Sequence, residues 1–247
     1  MTRLLYAIFR YMSIFPVWLD PEDTSYEFPN AENALTEPNG LLAIGGDLSP
    51  GRIVNAYLQG IFPWYSPDQP ILWWSPNPRA VLFPEKFKCS RSLKKLINRK
   101  TFSTTIDADF ASVIQHCAQV PRKDQNGTWI TDEMMQAYIK LHQADIAHSV
   151  ECWMDGQLVG GLYGLALGNV FFGESMFSHI SNASKVAFAH LVDELRKSNY
   201  ALIDCQVTTE HLLSLGAEEI PRKKFLRLIR QHTAGRMGQH GWLDRNE

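Results

Sequence analysis

Glu174 is a carboxylate near the end of an apolar stretch, residues 170–177, whose composition predicts a β-strand running into a loop. A strand this apolar is typical of one that is buried on both faces. Burying a carboxylate costs several kcal/mol unless a cation or hydrogen-bond donors compensate it. Glu174 is therefore a candidate for a chemical role, and the alternative is an exposed residue at the strand end.

Asp204 and Gln206 form a second candidate pair, on a short strand predicted at residues 201–207. Side chains alternate along a strand, so these two share one face with Leu202, while Ile203 and Cys205 lie on the other. Polar groups that project from a core strand need hydrogen-bond partners. A substrate and a structural network are both possible sources of those partners, and the pattern alone does not decide between them.

Basic residues are concentrated at 79–100 and 222–230, in a chain whose formal net charge is −2. The first run contains Arg79, Lys86, Lys88, Arg91, Lys94, Lys95, Arg99 and Lys100, and the second contains Arg222, Lys223, Lys224, Arg227 and Arg230. Arg91, Lys94 and Lys95 share one helical face. Contacts with nucleic-acid phosphates and an ordinary solvated surface both account for such runs.

Four tryptophans, Trp64, Trp73, Trp74 and Trp129, lie near predicted turns and charged residues. Stacking of a nucleic-acid base on an aromatic side chain contributes about 1–3 kcal/mol. Packing in a core is the commoner use of tryptophan, so base stacking stays one of two interpretations.

The cysteines and histidines show no spacing typical of a metal site. Cys89, Cys117, Cys152 and Cys205 are far apart and include no Cys-x-x-Cys pair, which predicts reduced thiols rather than disulfides or a zinc site. The histidines at positions 116, 142, 148, 179, 190 and 211 are interpreted as helix, loop or core residues. No metal is expected.

The overall composition is that of a globular protein, with 247 residues, 45% of them hydrophobic and 20% charged. Residues 4–18 are rich in apolar side chains, but Arg10 interrupts them and no run approaches the ~20 residues of a membrane span. We expect a cytoplasmic protein without a membrane segment, and nothing in the sequence requires more than a monomer.

The elements that must position these residues differ between the two parts of the chain. Residues 15–78 hold ten of the thirteen prolines and one predicted helix at 49–59, with Ser49 as its cap and Gly60 at its end. Beyond Arg79, helices are predicted at 90–99, 107–117 and 131–145. Three strands follow at 149–154, 157–167 and 170–177, joined by turns at Asp155-Gly156 and at 168–169.

The remaining elements complete an α+β order. A helix from residue 182 or 184 to about 198 leads to the strand 201–207, which we expect to lie parallel to the strand 170–177. Helices at 208–215 and 223–232 follow. The predicted architecture is a small loop-rich N-terminal domain, residues 1–78, and a larger domain, residues 79–247, that resembles the acyl-N-acyltransferase (GNAT-like) fold.

Several motifs in order closely resemble those of the leucyl/phenylalanyl-tRNA–protein transferase family. They are PNGLLAIGGDL (38–48), GIFPW (60–64), WWSP (73–76), GTWIT (127–131), FGESMF (172–177), LIDCQ (202–206), SLGA (214–217) and IPR (220–222). The similarity covers residues 28–225, nearly the whole chain. The stretch before Phe15 departs from the family and looks longer than usual.

The resemblance implies the substrates and the site residues. The donors would be leucyl-tRNA and phenylalanyl-tRNA, the acceptors proteins with N-terminal Arg or Lys, and the product a protein marked for degradation. The family pattern places Asp204, Gln206 and Glu174 at the reaction centre, Trp64 and Trp129 near the 3′-terminal adenosine of the tRNA, and Arg91, Lys94, Lys95 and Arg99 at the acceptor stem.

This chemistry requires no nucleophilic Ser or Cys, no metal and no cofactor, because the donor ester is already activated. The acceptor amine has a reference pKa near ~7.7–8.0 and is partly neutral at pH 7. An amide is a poor proton acceptor, so we expect Gln206 to orient the amine, with Asp204 fixing the Gln206 amide. Asp204 and Glu174 would also attract the cationic acceptor, and Phe171 and Met176 are candidates for the amino-acid pocket. Asp204→Ala is expected to lose most of its activity while the protein stays folded.

Two other functions compete with this interpretation. An acetyltransferase that uses acetyl-CoA would need a Gly-rich turn before a helix to hold the pyrophosphate. Residues 177–184 precede the helix and contain no glycine, which disfavours CoA. A non-catalytic RNA-binding module is the second alternative, and the polar pair Asp204 and Gln206 on a core strand argues against it.

Overall fold

The computed structural model describes residues 15–120, 130–234 and 242–243. Its strands are β1 (Val17–Leu19), β2 (Leu41–Gly45), β3 (Phe62–Pro63), β4 (Leu72–Trp74), β5 (Arg79–Leu82), β6 (Ser103–Ile106), β7 (Ala147–Met154), β8 (Gln157–Leu167), β9 (Val170–Ser178), β10 (Leu202–Gln206) and β11 (Glu218–Ile220). Its helices are α1 (Pro50–Leu58), α2 (Arg91–Asn98), α3 (Phe110–Gln119), α4 (Asp132–Gln143), α5 (Ala183–Lys197), α6 (Glu210–Ser214) and α7 (Arg222–Thr233).

A seven-stranded sheet forms the larger part, in the order β11-β5-β10-β9-β8-β7-β6. The predicted hairpins are confirmed, because β7, β8 and β9 pair antiparallel. Asp155 and Gly156 both have positive φ in the first turn, as the tight hairpin turn requires. The predicted parallel pairing of β10 with β9 is also confirmed, with α5 as the crossover.

Helices cover both faces of this sheet, so the predicted α+β class is confirmed. One face packs against α1, α3, α4 and α7 through buried residues such as Tyr57, Tyr138 and Phe225. The other face packs against α2 and α5 through Leu93 and Leu191. Successive residues along a strand belong to the apolar clusters on opposite faces of the sheet, as the alternation of side chains requires.

A second sheet of four strands, ordered β1-β2-β4-β3, was not predicted. Its strands are two to five residues long and lie among prolines and turns, too short to show an alternating pattern. Trp73 is fully buried in it and donates a 2.8 Å hydrogen bond to the Gly45 carbonyl. The predicted domain boundary at residue 78 falls between the two sheets, although a single apolar cluster contains residues from both.

The side chains at the starts of two helices, α4 and α1, contribute differently to capping. Thr131 caps α4, since its hydroxyl accepts a hydrogen bond from the Met134 amide. Ser49 occupies the predicted N-cap position of α1, with Pro50 as the first helical residue, but its side chain makes no capping hydrogen bond and its amide donates to Asp47. None of the helices in the described part of the chain has the length and apolarity that crossing a bilayer requires.

Candidate active site

Glu174 is the extra residue of a β-bulge in β9. The β8–β9 register pairs Tyr163 with Ser175 and Gly164 with Gly173, which leaves Glu174 without an opposite residue. A bulge re-aims a side chain and interrupts the ladder. Here it directs the Glu174 carboxylate between α1 and α4.

Three hydrogen bonds hold this half-buried carboxylate. Tyr57 donates at 2.7 Å, Tyr138 at 3.0 Å, and the Gln206 side-chain amide at 3.0 Å. Burial raises the pKa of Glu174 to about 7, although the three donors act in the opposite direction. Burial likewise raises the pKa of Tyr57 and of Tyr138 well above the ordinary value, so both remain protonated donors at neutral pH.

Gln206 reaches Glu174 from the irregular end of β10. Its φ is +59°, in the left-handed region that few non-glycine residues adopt, and the Val207 amide donates to the Cys205 carbonyl at 2.7 Å across it. This is a γ-turn with a positive central φ, a rare and strained arrangement. Strain of this kind persists where the surroundings enforce it and is frequent at functional sites.

Asp204 is held by an arginine that the sequence interpretation had placed in a phosphate-binding run. Arg79 Nε and Nη2 contact the two carboxylate oxygens of Asp204 at 2.8 and 2.6 Å, and both side chains are 0% exposed. The Arg79 guanidinium lies 4.7 Å from the ring centre of Phe62 and 4.5 Å from that of Phe225. Arg79 is thus unavailable to phosphate.

This ion pair changes the role predicted for Asp204. The carboxylate accepts a 3.0 Å hydrogen bond from the backbone amide of Gln206, whereas the Gln206 side chain binds Glu174. Asp204 therefore fixes the backbone of Gln206 rather than its side-chain amide, and its charge is compensated by Arg79. The structure brings the three predicted residues together and adds Arg79, Tyr57 and Tyr138, which the sequence interpretation missed.

The parallel pairing of β9 with β10 ends at Phe172 and Asp204. Just beyond these residues, the side chains of Glu174 and Gln206 bridge the two strands through their 3.0 Å hydrogen bond. Phe171 is 1% exposed and Met176 is half-buried, and both pack on the other face of the sheet. The amino-acid pocket at Phe171 and Met176 stays a prediction.

The other predicted contact residues lie apart from this centre or outside the described residues. Arg91, Lys94, Lys95 and Arg99 are all exposed on or just after α2, and none forms an ion pair with another described residue. Trp64 is half-buried, with its ring centre 6.1 Å from that of Trp74. Trp129 lies outside the described residues.

Other basic residues of the predicted runs, besides Arg79, also have structural partners. The guanidinium of Arg222, in the second run, donates to the carbonyls of Ser75 and Glu32 and is half-buried. Lys86 pairs with Glu218 at 2.8 Å. The remaining members Lys223, Lys224, Arg227 and Arg230 are exposed on α7.

One cluster of potential metal ligands was not expected from sequence spacing. Asp107, His142 and His148 place ligand atoms within 4.8 Å of one another. Hydrogen bonds account for their arrangement: His148 Nδ1 lies 2.9 Å from Asp107, which also accepts from the Trp242 indole and the Ser149 amide. His142 Nδ1 lies 2.8 Å from the Ala147 carbonyl. This network holds Trp242 against the sheet.

Comparisons with known proteins agree on one family. Residues 81–230 match the family model described as leucyl/phenylalanyl-tRNA protein transferase, and residues 46–77 match the model of its N-terminal domain. A leucyl/phenylalanyl-tRNA–protein transferase of Saccharophagus degradans is 55% identical over 87% of this chain and 87% of its own length. Another, from Azotobacter vinelandii, is 58% identical over 84% of this chain and 92% of its own.

Solved structures show more distant likeness. L-PGS from Bacillus licheniformis matches 55% of this chain and 49% of its own, with a TM-score of 0.40 and 11% identity. A GCN5-related N-acetyltransferase from Kribbella flavida matches 69% of this chain and 60% of its own, with a TM-score of 0.37 and 11% identity. Similarity at this level carries no conclusion about fold or activity.

Proposed function

The chain belongs to the leucyl/phenylalanyl-tRNA–protein transferase family, and we propose that it moves leucine or phenylalanine from aminoacyl-tRNA to the α-amino group of proteins with N-terminal Arg or Lys. One observation carries the residue assignment. Burial raises the pKa of Glu174 to about 7, and the carboxylate is held by three donors just beyond the end of the β9–β10 pairing. A base is most effective when its pKa lies near the working pH.

In the proposed reaction, the neutral α-amine attacks the ester carbonyl of the aminoacyl-tRNA. A C–N bond forms, the C–O bond to the terminal ribose breaks, and the ribose oxygen leaves. The amine proton passes to the Glu174 carboxylate and from there to the leaving oxygen. Alignment of two bound substrates supplies about 7–11 kcal/mol of the barrier reduction, so the remaining task is proton transfer.

Gln206 and Asp204 take positioning roles in this proposal. The Gln206 amide donates to Glu174 through its nitrogen, which leaves its oxygen as the acceptor for the incoming amine. Asp204, held by Arg79, fixes the backbone of Gln206 in its strained turn. Glu174 is then the carboxylate that faces the cationic acceptor, because the charge of Asp204 is already paired.

The donor would bind where the β9–β10 pairing ends and on the surfaces beside it. Its Leu or Phe side chain would enter between β9 and β10 towards Phe171 and Met176. The terminal adenosine would stack on Trp64 and Trp129, and the acceptor stem would lie on Arg91, Lys94, Lys95 and Arg99. We further infer that the product is marked for degradation and that the protein acts in the cytoplasm, where charged tRNA is found.

A label-transfer assay tests the proposal directly. Radiolabelled leucyl-tRNA would be mixed with the protein and an acceptor carrying N-terminal Arg, beside a matched acceptor carrying N-terminal Ala. We expect label in the Arg acceptor alone. A folded protein that binds tRNA yet transfers to neither acceptor would favour the RNA-binding module instead.

The start of α5 gives little support to an acetyltransferase function, because its first turn is not free to bind a CoA pyrophosphate. A Cβ on Gly160 would lie 2.6 Å from the Ala183 Cβ, so the first turn of α5 packs directly on β8. The Ser184 amide in that turn already donates to the Ser178 hydroxyl at 3.2 Å. A CoA pyrophosphate would have to displace these contacts.

We predict that Lys94→Glu combined with Lys95→Glu weakens tRNA binding and flattens its dependence on salt. Each lost phosphate contact removes about 0.7–0.9 from the slope of log K against log salt concentration. The two lysines are exposed and unpaired among the described residues, so their reversal leaves the fold unchanged. Filter binding of tRNA between 50 and 200 mM salt, roughly the range in which phosphate contacts dominate, measures the slope.

The matched control is the pair Lys223→Glu and Lys224→Glu on α7. It changes the net charge equally, but α7 packs on the opposite face of the sheet from α2. We expect this control to keep the wild-type slope. An unchanged slope in the Lys94 and Lys95 variant would rule out phosphate contacts at α2.

A further inference from the structure

We propose that an open groove beside the start of α4 docks the acceptor protein downstream of its N-terminal residue, and that it prefers a Lys or Arg side chain there. The groove has a volume of about 490 Å³. Its walls include Trp18, Tyr65, Pro70, Ile71, Asp132 and Glu133. This inference rests on the proposed function, because it assumes that an acceptor polypeptide reaches Glu174.

Trp18 gives the groove an aromatic wall. The side chain is 67% exposed although it sits on β1, next to β2. Gly45 allows this placement, since a Cβ there would lie 3.3 Å from two atoms of the indole. One face of the ring is therefore covered by the β2 backbone, and the rest is left to solvent. An exposed indole face binds a cation with about 0.5–1 kcal/mol, and more when the pair is desolvated.

Asp132 and Glu133 give the groove its charge. Both are exposed in the first turn of α4, and neither forms an ion pair with another described residue. Tyr65 and Thr131 bring the two sides of the groove together, with their hydroxyls 3.3 Å apart. An aromatic ring and two carboxylates that line one groove suit a cationic side chain, and the carboxylates repel nucleic-acid phosphate. The phosphate backbone of the tRNA is therefore not the occupant that this chemistry selects.

The length of α4 between the groove and Tyr138 sets the scale for which acceptor residues the groove would meet. Tyr138, which binds Glu174, follows Thr131 by seven residues on the same helix, a rise of about 10 Å. An extended chain advances about 3.3 Å per residue. An acceptor whose α-amine lies at Glu174 would place its third to fifth residues at the groove.

Peptides that differ at one position provide the test. Each would begin with Arg and carry Lys, Ala or Glu at the fourth position, with an Arg-Ala dipeptide as the short reference. For the wild type we expect kcat/KM about tenfold higher with Lys than with Ala, and lower again with Glu. Trp18→Ala should remove most of the Lys preference, and Asp132→Asn with Glu133→Gln should do the same. Both variants should keep the wild-type values for the dipeptide and for aminoacyl-tRNA.

The outcomes separate this inference from the proposed function. Transfer that is equal for the Lys, Ala and Glu peptides, or a Lys preference that survives Trp18→Ala, would overturn the docking site and leave the transferase intact. A Lys preference that survives Trp18→Ala is expected if another segment of this chain fills the groove. Absence of transfer to every peptide would overturn the proposed function. In that case, docking would be tested by the fluorescence anisotropy of a labelled Lys peptide mixed with the wild type or with Trp18→Ala. Equal binding to the two proteins would count against the docking site.

Discussion

Replacing Glu174 with glutamine is expected to lower kcat/KM for the acceptor about 100- to 10,000-fold, the range that a positioned base contributes. Glutamine keeps the size of the side chain and can still bond Tyr57 and Tyr138, but it cannot accept the amine proton. Steady-state transfer from leucyl-tRNA at low acceptor concentration measures the loss. A variant with at least a tenth of the wild-type value would show that Glu174 is not the proton acceptor.

The pH dependence gives a second measure of the same residue. Glu174, with a pKa of about 7, and the acceptor amine, near ~7.7–8.0, must both be deprotonated for attack. Log kcat/KM for the wild type should therefore rise with slope two below about pH 7 and slope one up to about pH 8. Glu174→Gln should show slope one throughout, because the titration of the carboxylate is gone.

Stability should move in the opposite direction to activity. The pKa of Glu174 is raised from 4.5 to about 7 in the folded state, so the folded state binds this proton more tightly than the unfolded chain does. Stability is therefore lost as pH rises from 4.5 to about 7 and stays lower above that range. Glu174→Gln removes this cost, and its free energy of unfolding at pH 8 should rise by up to about 3 kcal/mol.

Glu151→Gln is the matched control for these experiments. Glu151 is another buried carboxylate of the same sheet, and it accepts a 2.6 Å hydrogen bond from the Thr105 hydroxyl. It belongs to the hydrogen-bond network between β6 and β7 rather than to the reaction centre. We expect Glu151→Gln to destabilise the protein while leaving both slopes of the pH profile unchanged.

The sequence marked Glu174, Asp204 and Gln206 as residues that need partners, because polar residues on apolar strands need them wherever they lie, and their placement at one site came from the family resemblance. It did not reveal that the partners are Tyr57, Tyr138 and Arg79. Two of these come from helices with ordinary amphipathic patterns, and nothing in such a pattern marks one buried tyrosine as a donor. Contacts of this kind join residues more than 30 positions apart and depend on the tertiary packing.

Arg79 shows where local reasoning gave the wrong environment. Its neighbours in sequence include many exposed Lys and Arg residues, which favoured a surface position. It directly precedes the apolar residues of β5, however, and the strand is buried along its whole length. An arginine that opens a buried strand needs a carboxylate partner, and Asp204 on the adjacent β10 is that partner. That strand context was the signal available for the ion pair.

A periodic pattern of polar and apolar residues could not predict the bulge at Glu174 or the turn at Gln206. Strand prediction assumes strict alternation, whereas a bulge adds one residue and shifts the alternation that follows. The parallel pairing of β9 and β10 was predicted correctly, but its end at Phe172 and Asp204 depends on these two irregularities. We propose that the donor side chain enters where this pairing ends.

Asp204→Ala is expected to lower the free energy of unfolding by about 3–5 kcal/mol, because it leaves the Arg79 charge buried without its partner. This revises the expectation from sequence that the variant stays folded like the wild type. Urea unfolding followed by tryptophan fluorescence measures the change. Glu218→Ala, which removes the partner of Lys86 in an exposed pair, is the control and should cost less than about 1 kcal/mol. A loss that small for Asp204→Ala would mean that the ion pair is not buried as described.

Loss of activity in Asp204→Ala alone cannot distinguish a chemical role from a collapsed site, so a second variant is needed. Arg79→Met combined with Asp204→Leu removes both charges and fills the space with apolar side chains. Such replacements of buried ion pairs are often neutral or stabilising, and we expect stability within about 1 kcal/mol of the wild type. Transfer should nevertheless stay low, because the Gln206 amide has lost the carboxylate that holds its strained turn. Recovery of transfer together with stability would show that Asp204 supports the fold and has no part in positioning Gln206.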